Sequence, residues 1–262
     1  MEGLSLWNVA WHIIYDPFPE TRRLMRTDAS NRPAGAGGHL TKQQFVYTTL
    51  RDSIIKCELE PGTRLVIDDL ARRFHVSIIP VREALRLLQS DGLVVSVAHV
   101  GATVAPISRA SVVEVFTVME GLELVATRTA AMRADATGLA TLVHLVAAMD
   151  QALDAGAPQQ WAELNTRFHL AISRLADMPI LQEMMQRAFD YWDRVRRHYF
   201  TGVLVPRARL AQAEHHTLLE QLRARDLPRL EQTVRQHNQS AMAAYTAFLE
   251  SADNPLTRES RS

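Results

Sequence analysis

From Thr41 onward the apolar positions recur at helical spacing, and one short stretch alternates instead. Phe45, Val46, Leu50 and Ile54 fall on one helical face. Thr41 and Gln44 stand at the start of that face as a capping-box pair, hydroxyl and amide each serving a backbone N–H. Glu60-Pro61-Gly62 ends the unit in a turn. A short helix is predicted over about Ile67 to Phe74, burying Leu70, Ala71 and Phe74, with a tight turn at His75-Val76. Ser77 is an N-cap residue, and Pro80 is tolerated in the first turn of the helix that follows. That helix turns Val81, Ala84, Leu85 and Leu88 inward and stops at Gly92. Leu93 to Val97 and Ala102 to Ala105 read as two strands around the turn Ala98-His99-Val100-Gly101, and Pro106 closes the unit.

Past Ser108 the pattern holds no strand. Six helices are predicted, at about 108–133, 137–155, 159–176, 180–200, 206–225 and 227–250. Breaks fall at Gly138, Gly156-Ala157-Pro158, Met178-Pro179, Gly202 to Pro206 and Asp226 to Pro228. Apolar residues at three and four spacings, such as Leu122, Val125 and Ala126, suit a packed bundle. The expected fold is mostly α. It has an N-terminal winged helix-turn-helix with a small β-hairpin wing over 41–106, and a C-terminal all-α bundle of about six helices over 107–250. Residues 1–40 read as a flexible extension, with a Gly, Ala and Pro tract from Asn31 to Gly38 and Met25 available as a later start. A sharper reading makes Arg22, Arg23 and Arg26 a basic arm on the DNA backbone. Residues 251–262 read as a frayed tail.

Composition adds little and excludes some classes. Of 262 residues, 47% are hydrophobic and 22% charged, which is ordinary globular usage. The formal net charge is zero, so a nucleic-acid partner must be argued from local pattern. Residues 41–105 hold eight Lys/Arg and seven Asp/Glu, a net of only +1. The single cysteine, Cys57, forms no internal disulfide and is expected as a small, partly buried residue near a helix end. This fits the cytoplasm. No uninterrupted apolar stretch is long enough to span a bilayer, and the apolar-leaning Leu4 to Tyr15 lacks the features of a signal peptide.

Helix, short helix, tight turn, helix, hairpin is the order of a winged helix-turn-helix, whose second helix offers its N-terminal residues to base edges in the major groove. The positions so exposed are Ser77, Ile78, Ile79, Arg82 and Arg86, with His99 at the wing tip over the minor groove. Arg82 suits guanine or phosphate, and Ser77 suits phosphate. The runs Pro61-Gly62-Thr63-Arg64-Leu65, Asp69-Leu70-Ala71, Val76-Ser77-Ile78-Ile79-Pro80-Val81-Arg82-Glu83-Ala84-Leu85 and Asp91-Gly92-Leu93-Val94 closely resemble the GntR family of regulators. Two positions depart from it. Ile78 follows the serine where many members have Arg, and Val100 precedes the wing glycine where many have Arg. The operator is then read more through thymine methyls and DNA shape.

The second half carries candidate chemistry in its histidines. Asn165 and His169 are four apart, so they share a helix face. His215 and His237 lie on two later helices. Three facing helices could bring three imidazoles and one oxygen to a point inside the bundle, a sensible site for Zn²⁺, Ni²⁺ or Mn²⁺. By spacing alone, plain core or polar histidines are the commoner reading. The pieces Leu122-Glu123, Phe168-His169, Glu214-His215, Arg225-Asp226 and His237 resemble the helical, FCD-type sensor domain of the FadR subfamily. Its metal-binding branch uses an Asp and a His four apart plus two later His, which the resemblance places at Asn165, His169, His215 and His237. Asn165 stands where Asp is commoner, so the site lacks one negative charge.

The resemblance also implies a small carboxylate effector, and Met119 stands where many members carry an arginine for it. Arg133, Arg167 and Arg174 are the candidate replacements, with Arg196 a further one; each has surface charge as its plainer role. Trp161, Tyr191 and Trp192 are expected to pack in the core or line a pocket. The expected function is a cytoplasmic homodimeric repressor on a palindromic operator, released or tightened by an effector in a metal-containing sensor. Two alternatives stand beside it. One is a constitutive dimeric DNA-binding protein with a structural histidine cluster. The other is a three-His metalloenzyme, for which no general base stands out, because Glu214 points about 100° away from its neighbour His215.

Overall fold

The computed structural model describes residues 40–251, and the extension with its basic arm and most of the tail lie outside them. The described chain divides after Pro106 into two compact units.

In the first unit, α1 (Lys42–Ile55) opens on the expected box: Thr41 accepts from the Gln44 backbone N–H, and Gln44 accepts from that of Thr41. Val46, Leu50 and Ile54 are buried, and Phe45 packs edge-on against Phe74 with centroids 5.9 Å apart. Cys57 follows the helix end at half-burial, in the left-handed conformation with φ 57°. Helix α2 (Ile67–Phe74) ends at His75, also left-handed at φ 51°, and this turn leads to α3 (Ile78–Ser90). Strands β1 (Val94–Val97) and β2 (Gly101–Val104) pair antiparallel. Gly101 closes their turn at φ 98°, where a side chain would be strained. The sequence pattern treats the Pro61-Gly62 segment as a turn only. In the structure its continuation adds a rung to the wing: Arg64 bridges Thr103, and Leu65 N–H donates to Ala102 O at 2.8 Å.

The second unit is helical among the described residues. Its elements are α4 (Arg109–Arg133), α5 (Ala136–Asp154), α6 (Pro158–Leu175), α7 (Pro179–His198), α8 (Val205–Ala224) and α9 (Leu227–Glu250). Helix α4 is central, packing on α6, α7 and α9, while α5 packs on α6 and α8. The first break falls earlier than Gly138. Asp135 caps α5 through the Gly138 N–H, so Gly138 lies in the first turn of the helix, where a Cβ would run into the Leu175 side chain. The break at Gly202 is a five-residue π-helical turn, Phe200–Leu204, that runs straight into α8. A Cβ at Gly202 would lie 2.5 Å from Phe248 Cζ, so a larger residue there would have to displace that ring. By length and composition α5 could cross a membrane, although His144 and Asp150 interrupt it; its Leu142, Val146 and Met149 face are buried in the bundle.

Candidate functional site

Two surfaces carry chemistry, one in each unit. In the first, the start of α3 is presented outward. Ser77, Ile78, Ile79, Arg82 and Arg86 are all exposed, as is His99 at the hairpin turn. Ile79 is 69% exposed, too much for a core residue. The inward positions Val81, Ala84, Leu85 and Leu88 hold the helix on the unit. Ser77 occupies the N-cap position, yet its hydroxyl makes no cap hydrogen bond. The first backbone N–H groups of α3 therefore have no side-chain cap and lie beside an exposed serine, which suits a phosphate oxygen. Arg86 lies 3.6 Å from Glu83 across an exposed pair.

In the second unit, His169 of α6, His215 of α8 and His237 of α9 converge. One ring nitrogen from each lies within 4.8 Å of those of the other two. Ring centroids are 5.2 Å apart for His169 and His215, 5.3 Å for His169 and His237, and 4.9 Å for His215 and His237. Each Nδ1 meets an oxygen. Glu123 Oε1 of α4 lies 2.5 Å from His169 Nδ1. Glu214 Oε2 lies 2.6 Å from His237 Nδ1. Gln212 Oε1 lies 3.4 Å from His215 Nδ1 and accepts from Trp161 Nε1 at 3.1 Å. The Gln212 amide nitrogen is anchored on Val146 O and Asp150 Oδ1. Such partners fix ring orientation and direct Nε2 to a common ligand.

Charge in the cluster follows from burial and pairing. Burial first, then the neighbouring His237 and His169, hold the His215 imidazole well below its ordinary pKa, so it is neutral. Burial also lowers His237, outweighing the opposing hydrogen bond that its ring donates to Glu214. For Glu123, burial pushes the carboxyl up, but His169, His237 and an Asn238 amide bond at 2.6 Å outweigh it and hold it below the usual range. Glu214 behaves likewise, with burial opposed by His237 and by Arg207, whose Nη2 lies 2.8 Å away.

A cavity with about 450 Å³ of atom-free space, its open mouth included, lies against this cluster. Asn165, His169, His237 and Arg207 supply polar lining, among Phe116, Met119, Trp161, Phe189 and Trp192. Two buried atoms test whether the donor set fits a metal. His215 Nε2 and Asn165 Oδ1 have no hydrogen-bond partner in the protein. Both are lone-pair donors, and a buried donor without a partner is costly. With the carboxylates of buried Glu123 and half-buried Glu214 behind the imidazoles, the residues fit a divalent cation.

The structure brings Asn165, His169, His215 and His237 together. It does not bring the arginines Arg133, Arg167 and Arg174 to the cavity. Arg133 instead donates to Ala176 O at 2.6 Å and to Asp177 O at 3.2 Å, past the end of α6. Arg167 and Arg174 are exposed, because the inward face of α6 is set by Trp161, Asn165, Phe168, His169 and Ile172. Arg196 is buried, held by Asp193, with its guanidinium 5.4 Å from the centroid of the Trp192 ring. The arginine that lines the cavity is Arg207, which the pattern of the chain did not single out. Glu214 does point away from His215, but toward His237 on the next helix, and so it belongs to the cluster. An acid at position 123 within an otherwise apolar helix face was the available signal for Glu123.

Residues 42–104 match the family model described as bacterial regulatory proteins, gntR family, and residues 114–240 match the FCD domain. The chain is 32% identical to the HTH-type transcriptional regulator McbR of Escherichia coli strain K12, over 72% of this chain and 85% of McbR. It is 29% identical to the HTH-type transcriptional repressor RspR of the same strain, over 75% and 85%. The solved structure of E. coli McbR/YncC has a TM-score of 0.64 at 26% identity, covering 80% of this chain and 99% of that one. A putative GntR regulator from Rhodococcus sp. RHA1, at 21% identity, shares the fold with a TM-score of 0.61. These relatives are transcriptional regulators and not enzymes.

Proposed function

The chain belongs to the gntR family of bacterial regulatory proteins, and we propose that it is a cytoplasmic repressor whose hold on its operator is set by an effector in a metal-containing sensor domain. The observation that carries this reading is the combination, in one chain, of an outward-facing α3 start and a buried three-His cavity. Ser77 and the first turn of α3 hold phosphate. Ile78 and Ile79 pack on thymine methyls, and Arg82 reads guanine or phosphate with Arg86 and His99 as flanking contacts. Two copies place two such helices on a palindromic site, because two-fold protein matches two-fold DNA.

His169, His215, His237 and the Asn165 carbonyl oxygen hold Zn²⁺, Ni²⁺ or Mn²⁺. When bound, the ion supplies a Lewis-acidic point at which an effector oxygen can bind. Glu123, Glu214 and Gln212 orient the three imidazoles. The effector changes operator affinity by its differential affinity for the two states, on the order of 1–3 kcal/mol.

The test begins with duplexes selected from a random-sequence library and a mobility-shift assay. A palindromic site should emerge, and Arg82→Ala should weaken it by about 1–3 kcal/mol without loss of fold. Mass spectrometry of the same preparation should find near-stoichiometric divalent metal, lost in His169→Ala. Failure to enrich any sequence would overturn the DNA reading. No metal after supplementation with the three ions would make the cluster structural.

A further inference from the structure

We infer that the first turn of α3 reads the 5-methyl group of a pyrimidine beside a guanine and accepts it on 5-methylcytosine as on thymine, so that cytosine methylation strengthens the hold on DNA. The inference deepens the DNA-binding reading above and rests on it. Ile78 and Ile79 are 40% and 69% exposed at the start of α3, while Val81, Ala84, Leu85 and Leu88 of the same helix are buried. Arg82 stands four residues after Ile78 and three after Ile79, so both are its neighbours on the helix surface. A helical side chain leans toward the helix N-terminus and lies over the preceding turn. The Arg82 guanidinium therefore reaches toward the two isoleucines. Arg86 is paired with Glu83 at 3.6 Å, whereas Arg82 has no ion pair or hydrogen bond among the described residues.

A free guanidinium beside two apolar side chains has a counterpart in the major groove. Guanine offers a pair of acceptors to an arginine, and a methylated pyrimidine next to it offers its methyl to an apolar side chain. Successive bases on one strand rise about 3.4 Å, and residues three apart on a helix rise about 4.5 Å, so Ile79 and Arg82 can meet adjacent bases. The 5-methyl group has the same place on thymine and on 5-methylcytosine. The two bases differ at the neighbouring exocyclic group, a carbonyl acceptor on thymine and an amino donor on cytosine. Isoleucine carries no polar side-chain atom to tell them apart. The polar groups nearest in sequence do not reject cytosine either. The Ser77 hydroxyl both donates and accepts, and the Glu83 carboxylate accepts from an amine.

Unmethylated cytosine leaves the isoleucines without their apolar partner. Burying one methyl group on an apolar side chain is worth about fourfold in affinity, and the same contact in two half-sites about 16-fold. The factor should be equal for the two bases, because the same atoms leave water. It should also be independent of salt, since the phosphate contacts that release counterions are the same whatever the base.

The test uses the full-length protein and the duplex enriched from the random-sequence library. Each thymine of one half-site is replaced in turn by uracil, which removes the methyl and leaves the pairing edge unchanged. In mobility-shift titrations a thymine next to a guanine should lose about fourfold in affinity. Replacing that thymine–adenine pair by cytosine–guanine should also weaken binding. At the same place 5-methylcytosine should bind about fourfold tighter than cytosine, with an unchanged salt dependence. The double variant Ile78→Ala with Ile79→Ala, at exposed positions, should fold and bind methylated and unmethylated duplexes alike. The base substitutions need no variant, so the test stays decisive if the double variant binds too weakly to titrate. A uracil scan without effect, equal affinity for cytosine and 5-methylcytosine, or a methyl preference that survives in the double variant would overturn the inference. With a palindrome enriched, those results leave the regulator reading standing. If no sequence is enriched, the DNA-binding reading falls and the inference with it.

Discussion

Asn165 offers its carbonyl oxygen to the histidine cluster with no charge behind it, and that oxygen has no partner in the protein. Asn165→Asp should therefore act in opposite directions with and without metal. Without it, a second buried carboxylate joins Glu123, with Glu214 half-buried nearby, and thermal stability should fall. With Zn²⁺, affinity measured by chelator competition should rise about tenfold or more, because a charged oxygen replaces a neutral one. Unchanged affinity would place Asn165 outside the ligand set. Glu123→Gln tests the support behind the ligands: loss of the carboxylate on His169 Nδ1 should lower metal affinity by about 10- to 100-fold. The metal-free protein also has a pH signature. His215 is held well below, and His237 below, the ordinary imidazole pKa. The unfolded chain then binds protons on these rings that the folded chain refuses. Their contribution to stability is present above about pH 6.5 and is lost as pH falls below it. Urea titrations of metal-free protein at pH 7.5 and pH 5.5 should show the lower midpoint at pH 5.5, with saturating metal at pH 7.5 removing the rings from titration.

The helices were legible in the chain because their amphipathic period and their caps agree. Ser77, Pro80 and Gly92 bracket α3, and Thr41 and Gln44 open α1 with the bonds their spacing requires. The π-helical turn was not legible. Glycine and proline from Gly202 to Pro206 signal a break, and nothing in that pattern marks a widened helix that runs on into the next, with Phe248 close against Gly202. The extra rung of the wing was hidden for a similar reason, since Arg64 and Leu65 meet Thr103 and Ala102 through backbone groups that carry no side-chain signal. Gly202→Ala should consequently cost about 1–3 kcal/mol in a urea titration, the usual range for an overpacked site. Gly121→Ala is the control. A Cβ at Gly121 in α4 meets nothing within 4 Å, so it should be neutral or slightly stabilising. Equal effects of the two would mean that Phe248 moves aside freely.

At the scale of the molecule, the site is assembled from parts that lie far apart in sequence. Of the ten histidines, His169, His215 and His237 could be nominated through the resemblance to the metal-binding branch, since spacing alone does not set them apart from core or polar histidines. Arg207 was passed over for Arg133, Arg167 and Arg174, although it stands seven residues, two helical turns, before Glu214 and so shares its face. Helical phase does exclude Arg167 and Arg174, since both fall off the Asn165 and His169 face. The ligand set draws on α6, α8 and α9 and its supports on α4 and α8, and all of these belong to one of the two units. A metal bound there can stabilise only the unit that holds it directly. Calorimetry of the full chain should therefore show two transitions in metal-free protein. Zn²⁺ at about 1,000 times its dissociation constant adds roughly 4 kcal/mol, which raises the sensor transition by on the order of 10 °C. Operator DNA should raise the other transition by the same mass-action logic. If Zn²⁺ alone moves both transitions together, the two units unfold as one, and the metal is then coupled to the DNA-binding surface even before any effector is present.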